Sequence, residues 1–65
     1  MENNMHLTAR EREIIRLAGQ GLTQFQIARR LFISPHTVNQ HLRNARERAG
    51  CNSTLQLAIK TLTEQ

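Results

Sequence analysis

Three features of this sequence predict a small all-α fold of four helices. Apolar residues recur at three- and four-residue spacing, and no segment alternates with period two long enough to make a strand. Helix-start signals at Thr8, Thr23, Ser34 and Asn52-Ser53 divide the chain into pieces of helical length. The apolar fraction is 38%, with no Trp, no Tyr and two Phe, a composition that suits a bundle of Leu, Ile and Ala. At 65 residues the chain has room for one domain with a thin core. Residues 1–6 are polar and expected to be a flexible N-terminus; residues 7–65 form the expected domain. There is no internal repeat, linker or low-complexity run.

The first helix opens at Thr8. Glu11, three residues on, completes a capping box, and Leu7 is placed to pack on the first turn as a staple. Ile14, Ile15, Leu17 and Ala18 supply the buried side, and Arg10, Arg12, Glu13 and Arg16 the wet side. Gly19 falls late in this helix and weakens it by about 1 kcal/mol relative to Ala. Gly21 is a natural terminator.

The second helix runs from about Thr23, a good N-cap, to Phe32, and buries Ile27, Ala28 and Leu31. The third begins at Ser34. Pro35 behind it fits the first helical position, where an amide has no partner, and drives Ser34 out of the helical region. The second helix must therefore stop before Ser34, with Ile33 in the turn. Two helices so closely joined cross steeply, as in a helix-turn-helix. Along the third helix, about residues 35–49, Val38, Leu42, Ala45 and Ala49 form one apolar stripe. Asn39, Gln40, Arg43 and Arg46 lie away from it, with His36 and Glu47 beyond. Asn, Gln and Arg are the side chains whose forks match adenine and guanine edges in the major groove. Gly50 ends this helix. The fourth runs from about Thr54 to Leu62 with Leu55, Leu57, Ala58, Ile59 and Leu62 as its apolar residues.

Nine Lys and Arg face five Glu and no Asp, a net charge of +4 that favours a polyanionic partner. The single cysteine, Cys51, forms no internal disulfide, so the fold does not depend on an oxidising compartment. No apolar run approaches the roughly 20 residues of a membrane span, and the N-terminus lacks the basic and apolar regions of a secretory signal, so a cytoplasmic location is expected. His6, His36, His41 and Cys51 match no zinc spacing, and no Ser-His-Asp set exists without Asp. No metal, no cofactor and no enzymatic activity are expected.

LTAREREIIRL, GLTQFQIARRLFIS and TVNQHLRNARERAG, taken in order, resemble the DNA-binding domain of LuxR/FixJ-type transcriptional regulators. Leu7-Thr8, Arg10-Glu11, Glu13, Leu17, Gly21, Ile27-Ala28, Leu31, Ile33-Ser34, Thr37-Val38, His41, Asn44 and Gly50 carry the likeness, which extends from about Leu7 to Leu62. The resemblance implies a four-helix helix-turn-helix that binds double-stranded DNA in bacterial transcription regulation, with the third helix in the major groove. The base-contacting positions, which follow the Thr-Val pair, are Asn39, Gln40 and Arg43. Arg30, Ser34, His36, Thr37, His41 and Arg46 are the expected contacts to the DNA backbone. The fourth helix implies a homodimer on DNA, with Leu55, Ala58, Ile59 and Leu62 at its interface.

The departures from the family pattern are informative. Asn39 stands where Lys is usual and suits adenine better. Ala45, Ala49 and Cys51 replace larger residues, and Gly19 replaces Ala, so a lighter core is expected. Arg48 is expected at the DNA backbone or paired with Glu47. Phe25 and Phe32 occupy positions that are polar or variable in the family. The expectation is that Phe25 folds over a neighbouring helix; the sharper reading is an exposed aromatic patch covered by RNA polymerase, a regulatory domain or a partner regulator. Family members carry a receiver or ligand-sensing domain ahead of this one, so the chain is either a free-standing regulator or an excised domain. The alternative function is a short interaction protein that pairs with a full-length regulator and inhibits it.

Overall fold

A computed structural model describes residues 6–63. Most of the stretch expected to be flexible, residues 1–6, and the last two residues of the expected domain lie outside the described residues. Four helices follow in order: α1 (Ala9–Gly19), α2 (Gln24–Leu31), α3 (Pro35–Ala49) and α4 (Thr54–Leu62). None is long and apolar enough to cross a membrane.

Each helix starts where its capping residue dictates. The hydroxyls of Thr8, Thr23, Ser34 and Ser53 accept from the backbone N–H of Glu11, Gln26, Thr37 and Gln56, respectively. Each such bond satisfies one of the donors that a first turn leaves free. Thr8–Glu11 is the reciprocal box that the sequence predicts, and Thr23–Gln26 is a second one.

Three helices end by the same device, in which the chain turns left-handed and donates back to the last turn. After α1, Gly21 has φ +98°, and the Leu22 N–H reaches the Leu17 carbonyl at 3.2 Å. After α3, Gly50 has φ +69°, and the Cys51 N–H reaches the Arg46 carbonyl at 2.9 Å. After α2 the Ile33 N–H reaches the Ala28 carbonyl at 3.0 Å, yet the left-handed residue is Phe32, with φ +59°. A side chain there clashes with its own carbonyl at a cost of about 1–2 kcal/mol that glycine avoids.

The core is one cluster fed by all four helices: Ile14, Ile15 and Leu17 from α1, Ile27 and Ala28 from α2, the whole α3 stripe, Cys51, and Leu57 and Ala58 from α4. Leu7, Ala18, Leu22, Leu31 and Ile33 pack around it half-buried. Small residues dominate the α3 side, as the sequence predicts. At Gly19 space is not the constraint, because a Cβ there would meet the Ala58 Cβ at 3.5 Å, an ordinary contact.

An ion pair between a buried carboxylate and an exposed arginine links α1 to the end of α3. Glu11 is only 3% exposed. One carboxylate oxygen, Oε1, accepts from Arg48 Nη1 at 2.8 Å and from the Thr8 N–H at 2.9 Å, and Oε2 accepts from Arg48 Nη2. Arg48 Nη1 also donates to the His6 carbonyl at 2.9 Å. This corrects the expectation that Arg48 serves DNA or Glu47: the fork of Arg48 grips a carboxylate that the core has already desolvated. The hydrogen bond from Arg48 holds the Glu11 carboxyl below its ordinary value of 4.5, against the opposing push of burial.

Candidate nucleic-acid interface

The turn between α2 and α3 is only Phe32 to Ser34, and it is pinned from both sides. Ile33 anchors it in the core, and Gln24 Nε2 donates to the Pro35 carbonyl at 2.9 Å, joining the start of α2 to the start of α3. Ser34 Oγ accepts from the Thr37 N–H at 3.0 Å and lies 2.9 Å from Thr37 Oγ1, so both hydroxyls are engaged at the helix start. The position of α3 relative to α2 is thus fixed at the start of the helix by the Gln24 bond, the caps and Ile33.

Val38, Leu42, Ala45 and Ala49 are all buried, so the opposite side of α3 faces out. His36, Gln40, Arg43 and Glu47 occupy the centre of that outer face at helical spacing, and all are exposed. Asn39 and Arg46, seven residues apart, share one flank and are half-buried. Arg46 Nη1 donates to Thr54 Oγ1 at 3.2 Å, which draws the guanidinium to the start of α4. Thr37 and His41 share the other flank, also half-buried, and Arg30 is exposed on α2. Gln40, Arg43 and His36 are therefore brought together on the open face, Asn39 beside them. Ser34 and Thr37 sit at the helix start, where the amides give the end a partial positive charge. Arg46 sits apart at the α3–α4 junction.

The charge is segregated along the chain. Between Glu13 and Glu47 there is no acidic residue, while Arg16, Arg29, Arg30, Arg43 and Arg46 lie in that interval. The carboxylates are spent elsewhere: Glu11 on Arg48, and Glu13 on Arg10 at 3.6 Å. From α2 to the middle of α3 this surface carries arginine without carboxylate, Glu47 lying only near the far end of α3, and such a field suits phosphate.

The expected dimer residues divide. Leu55, Ile59 and Leu62, at i, i+4 and i+7, are all exposed and form one stripe. Ala58 is only 6% exposed and packs into the core near Gly19. Leu57 lies on the inner side of α4, while Ala58 borders the stripe and lines the groove beside it. Beside the stripe a groove of about 650 Å³ runs between α1 and α4, lined among others by Ile15, Gly19, Ala58 and Leu62. Phe25 does not fold over a neighbour; it is 67% exposed, and Phe32 94%. Among the described residues, no group of three or more His, Cys, Asp or Glu is placed to hold a metal ion.

Three side-chain bonds escaped sequence reasoning. Gln24 to Pro35, Arg46 to Thr54 and Arg48 to Glu11 all join residues on different helices, and spacing along one helix carries no signal for them. Lys60 likewise reaches from α4 to the Ala49 carbonyl at 2.8 Å, where a cation complements the end of α3.

The sequence pattern described as bacterial regulatory proteins, luxR family, matches residues 5–61. The spore germination protein GerE of Bacillus subtilis is 41% identical over 56 residues, covering 86% of this chain and 76% of that protein. An HTH-type transcriptional regulator of Mycobacterium tuberculosis is 45% identical over 51 residues, covering 78% of this chain. The transcriptional activator protein SolR of Ralstonia solanacearum is 36% identical over 61 residues, covering 94% of this chain. The chain spans 6% of the mycobacterial protein's length and 26% of SolR's. A helix-turn-helix with an arginine-bearing outer face, and a family pattern that covers all but the ends of the sequence, place the chain in the luxR family of bacterial regulatory proteins, a family of DNA-binding transcription regulators.

Proposed function

We propose that the chain binds double-stranded DNA sequence-specifically in the bacterial cytoplasm, with α3 in the major groove. The observation that carries this reading is the outer face of α3: Gln40 and Arg43 exposed, Asn39 beside them, with no carboxylate between Glu13 and Glu47. Arg43 reads guanine through its bidentate fork, and Asn39 and Gln40 read adenine. Arg30, His36, Ser34, Thr37 and His41 fix the register on the phosphates. Arg46 reaches the backbone only by leaving Thr54, and serves as the outermost contact. A mobility-shift assay with the purified chain and a mixed duplex pool is the test. Retarded complexes at submicromolar protein support the reading. No retardation would favour the second reading, a short partner that pairs with and inhibits a full-length regulator, to which the exposed α4 stripe also lends itself.

On DNA, the α4 stripe joins two copies. Leu55, Ile59 and Leu62 form a ridge, and the adjoining groove accepts one like it, as a two-fold contact requires. The recognition helices then meet half-sites about one helical turn apart. Sedimentation should give mainly monomer in solution and two chains per palindromic duplex, with Ile59→Glu reducing the complex to one. A one-to-one complex of the unaltered chain on such a site would exclude this arrangement.

A further inference from the structure

We propose that the outer side of α2, presenting Phe25, Arg29 and Phe32, is a protein-docking surface whose occupant is an acidic amphipathic segment. Neither ring is required by the fold. Phe25 is 67% and Phe32 94% exposed, so packing does not select them. Phe32 also holds the left-handed position that Gly21 and Gly50 fill at the other two turns of this kind, so the backbone does not select it either. Phe25 and Arg29 are one turn apart on α2, and Phe32 is the residue that caps the end of the same helix.

Charge decides what covers them. Arg29 and Arg30 are exposed, and neither α2 nor the turn carries a carboxylate. Apolar anchors set around Arg29, which is not among the proposed phosphate contacts, match a partner that alternates apolar side chains with carboxylates. Phosphate is recognised by donors, and a phenyl ring offers none, so the rings add nothing to the backbone contacts. A second copy of this chain is a poorer match, because its own exposed apolar stripe on α4 carries no acidic residue. The surface is distinct from the outer face of α3, and the inference does not rest on the DNA reading.

The test is a titration of the ¹⁵N-labelled chain with a synthetic helical peptide of Leu, Phe and Glu, and with the same peptide carrying Gln for Glu. Shifts should centre on Phe25, Arg29 and Phe32, with the Gln peptide at least tenfold weaker. The variant Phe25→Ser with Phe32→Gly should bind the acidic peptide at least tenfold more weakly, melt no lower, and hold the wild-type duplex within about twofold. Shifts on α4, or none at millimolar peptide, would overturn the proposal. So would concentration-dependent shifts on α2 without peptide, which indicate a second copy. Loss of DNA affinity in the variant would give the rings to DNA, and a melting temperature many degrees lower would make them core residues. Failure of the unaltered chain to bind DNA would strike only the DNA reading.

Discussion

Replacing Glu11 by Ala should lower the stability of the domain by about 2–3 kcal/mol. The substitution removes half of the capping box, worth about 1 kcal/mol, and one partner of an ion pair whose carboxylate is buried. The full penalty for breaking a buried pair, about 3–5 kcal/mol, is not reached, because the stranded partner is Arg48, whose side chain is 39% exposed and rehydrates. For a domain of this size the loss corresponds to about 10–20 °C in Tm. Arg48→Ala should be at least as damaging, since it strands the carboxylate that the core encloses. A pH signature accompanies the pair. The folded-state pKa of Glu11 is depressed, so its contribution is present above the ordinary value of 4.5 and is lost as pH falls through the folded value. Thermal melts from pH 7 down to pH 3 should show this acid-side loss, and Glu11→Gln, already less stable at pH 7, should lack that part of the slope. Equal acid sensitivity in both proteins would show that the pair does not set it.

DNA affinity should collapse with salt. In the proposed complex the arginines and helix-start groups named above make roughly three to five phosphate contacts per subunit, and each neutralised phosphate contributes about 0.9 to the slope of log K against log salt. One subunit should therefore lose about 50- to 500-fold between 50 and 200 mM salt, and a two-fold complex more. Fluorescence anisotropy on a labelled duplex measures this directly. A slope near zero would mean that the arginine-rich interval from Arg16 to Arg46 does not meet phosphate.

What the sequence made legible was local. Thr8, Thr23, Ser34 and Ser53 announce their helices because an N-cap acts within three residues, and Gly21 and Gly50 end theirs within two. The α3 face was legible because four buried residues at strict spacing leave one way out. The fourth helix was not. Leu55, Leu57, Ala58, Ile59 and Leu62 surround it, and only the packing of Leu57 and Ala58 against α1 and α3 shows which side is inner. Glu11 and Arg48 lie 37 positions apart, so their pairing depends on how α1 meets the end of α3. Phe25 was expected under cover because apolar area favours burial, yet on the outer side of a short helix it stays 67% exposed among the described residues.

In the proposed complex the outer face of α3 reads DNA, and Arg43 is its sharpest point. In vitro selection of bound duplexes should be run with the unaltered chain, Arg43→Ala and Arg30→Ala. The unaltered chain should return paired half-sites with a fixed guanine. Arg43→Ala should cost about 1–3 kcal/mol on that sequence and lose the preference at the guanine alone, while Arg30→Ala weakens all sequences about equally and keeps the motif. An unchanged motif from Arg43→Ala would contradict the assignment of α3 as the reading helix in this orientation.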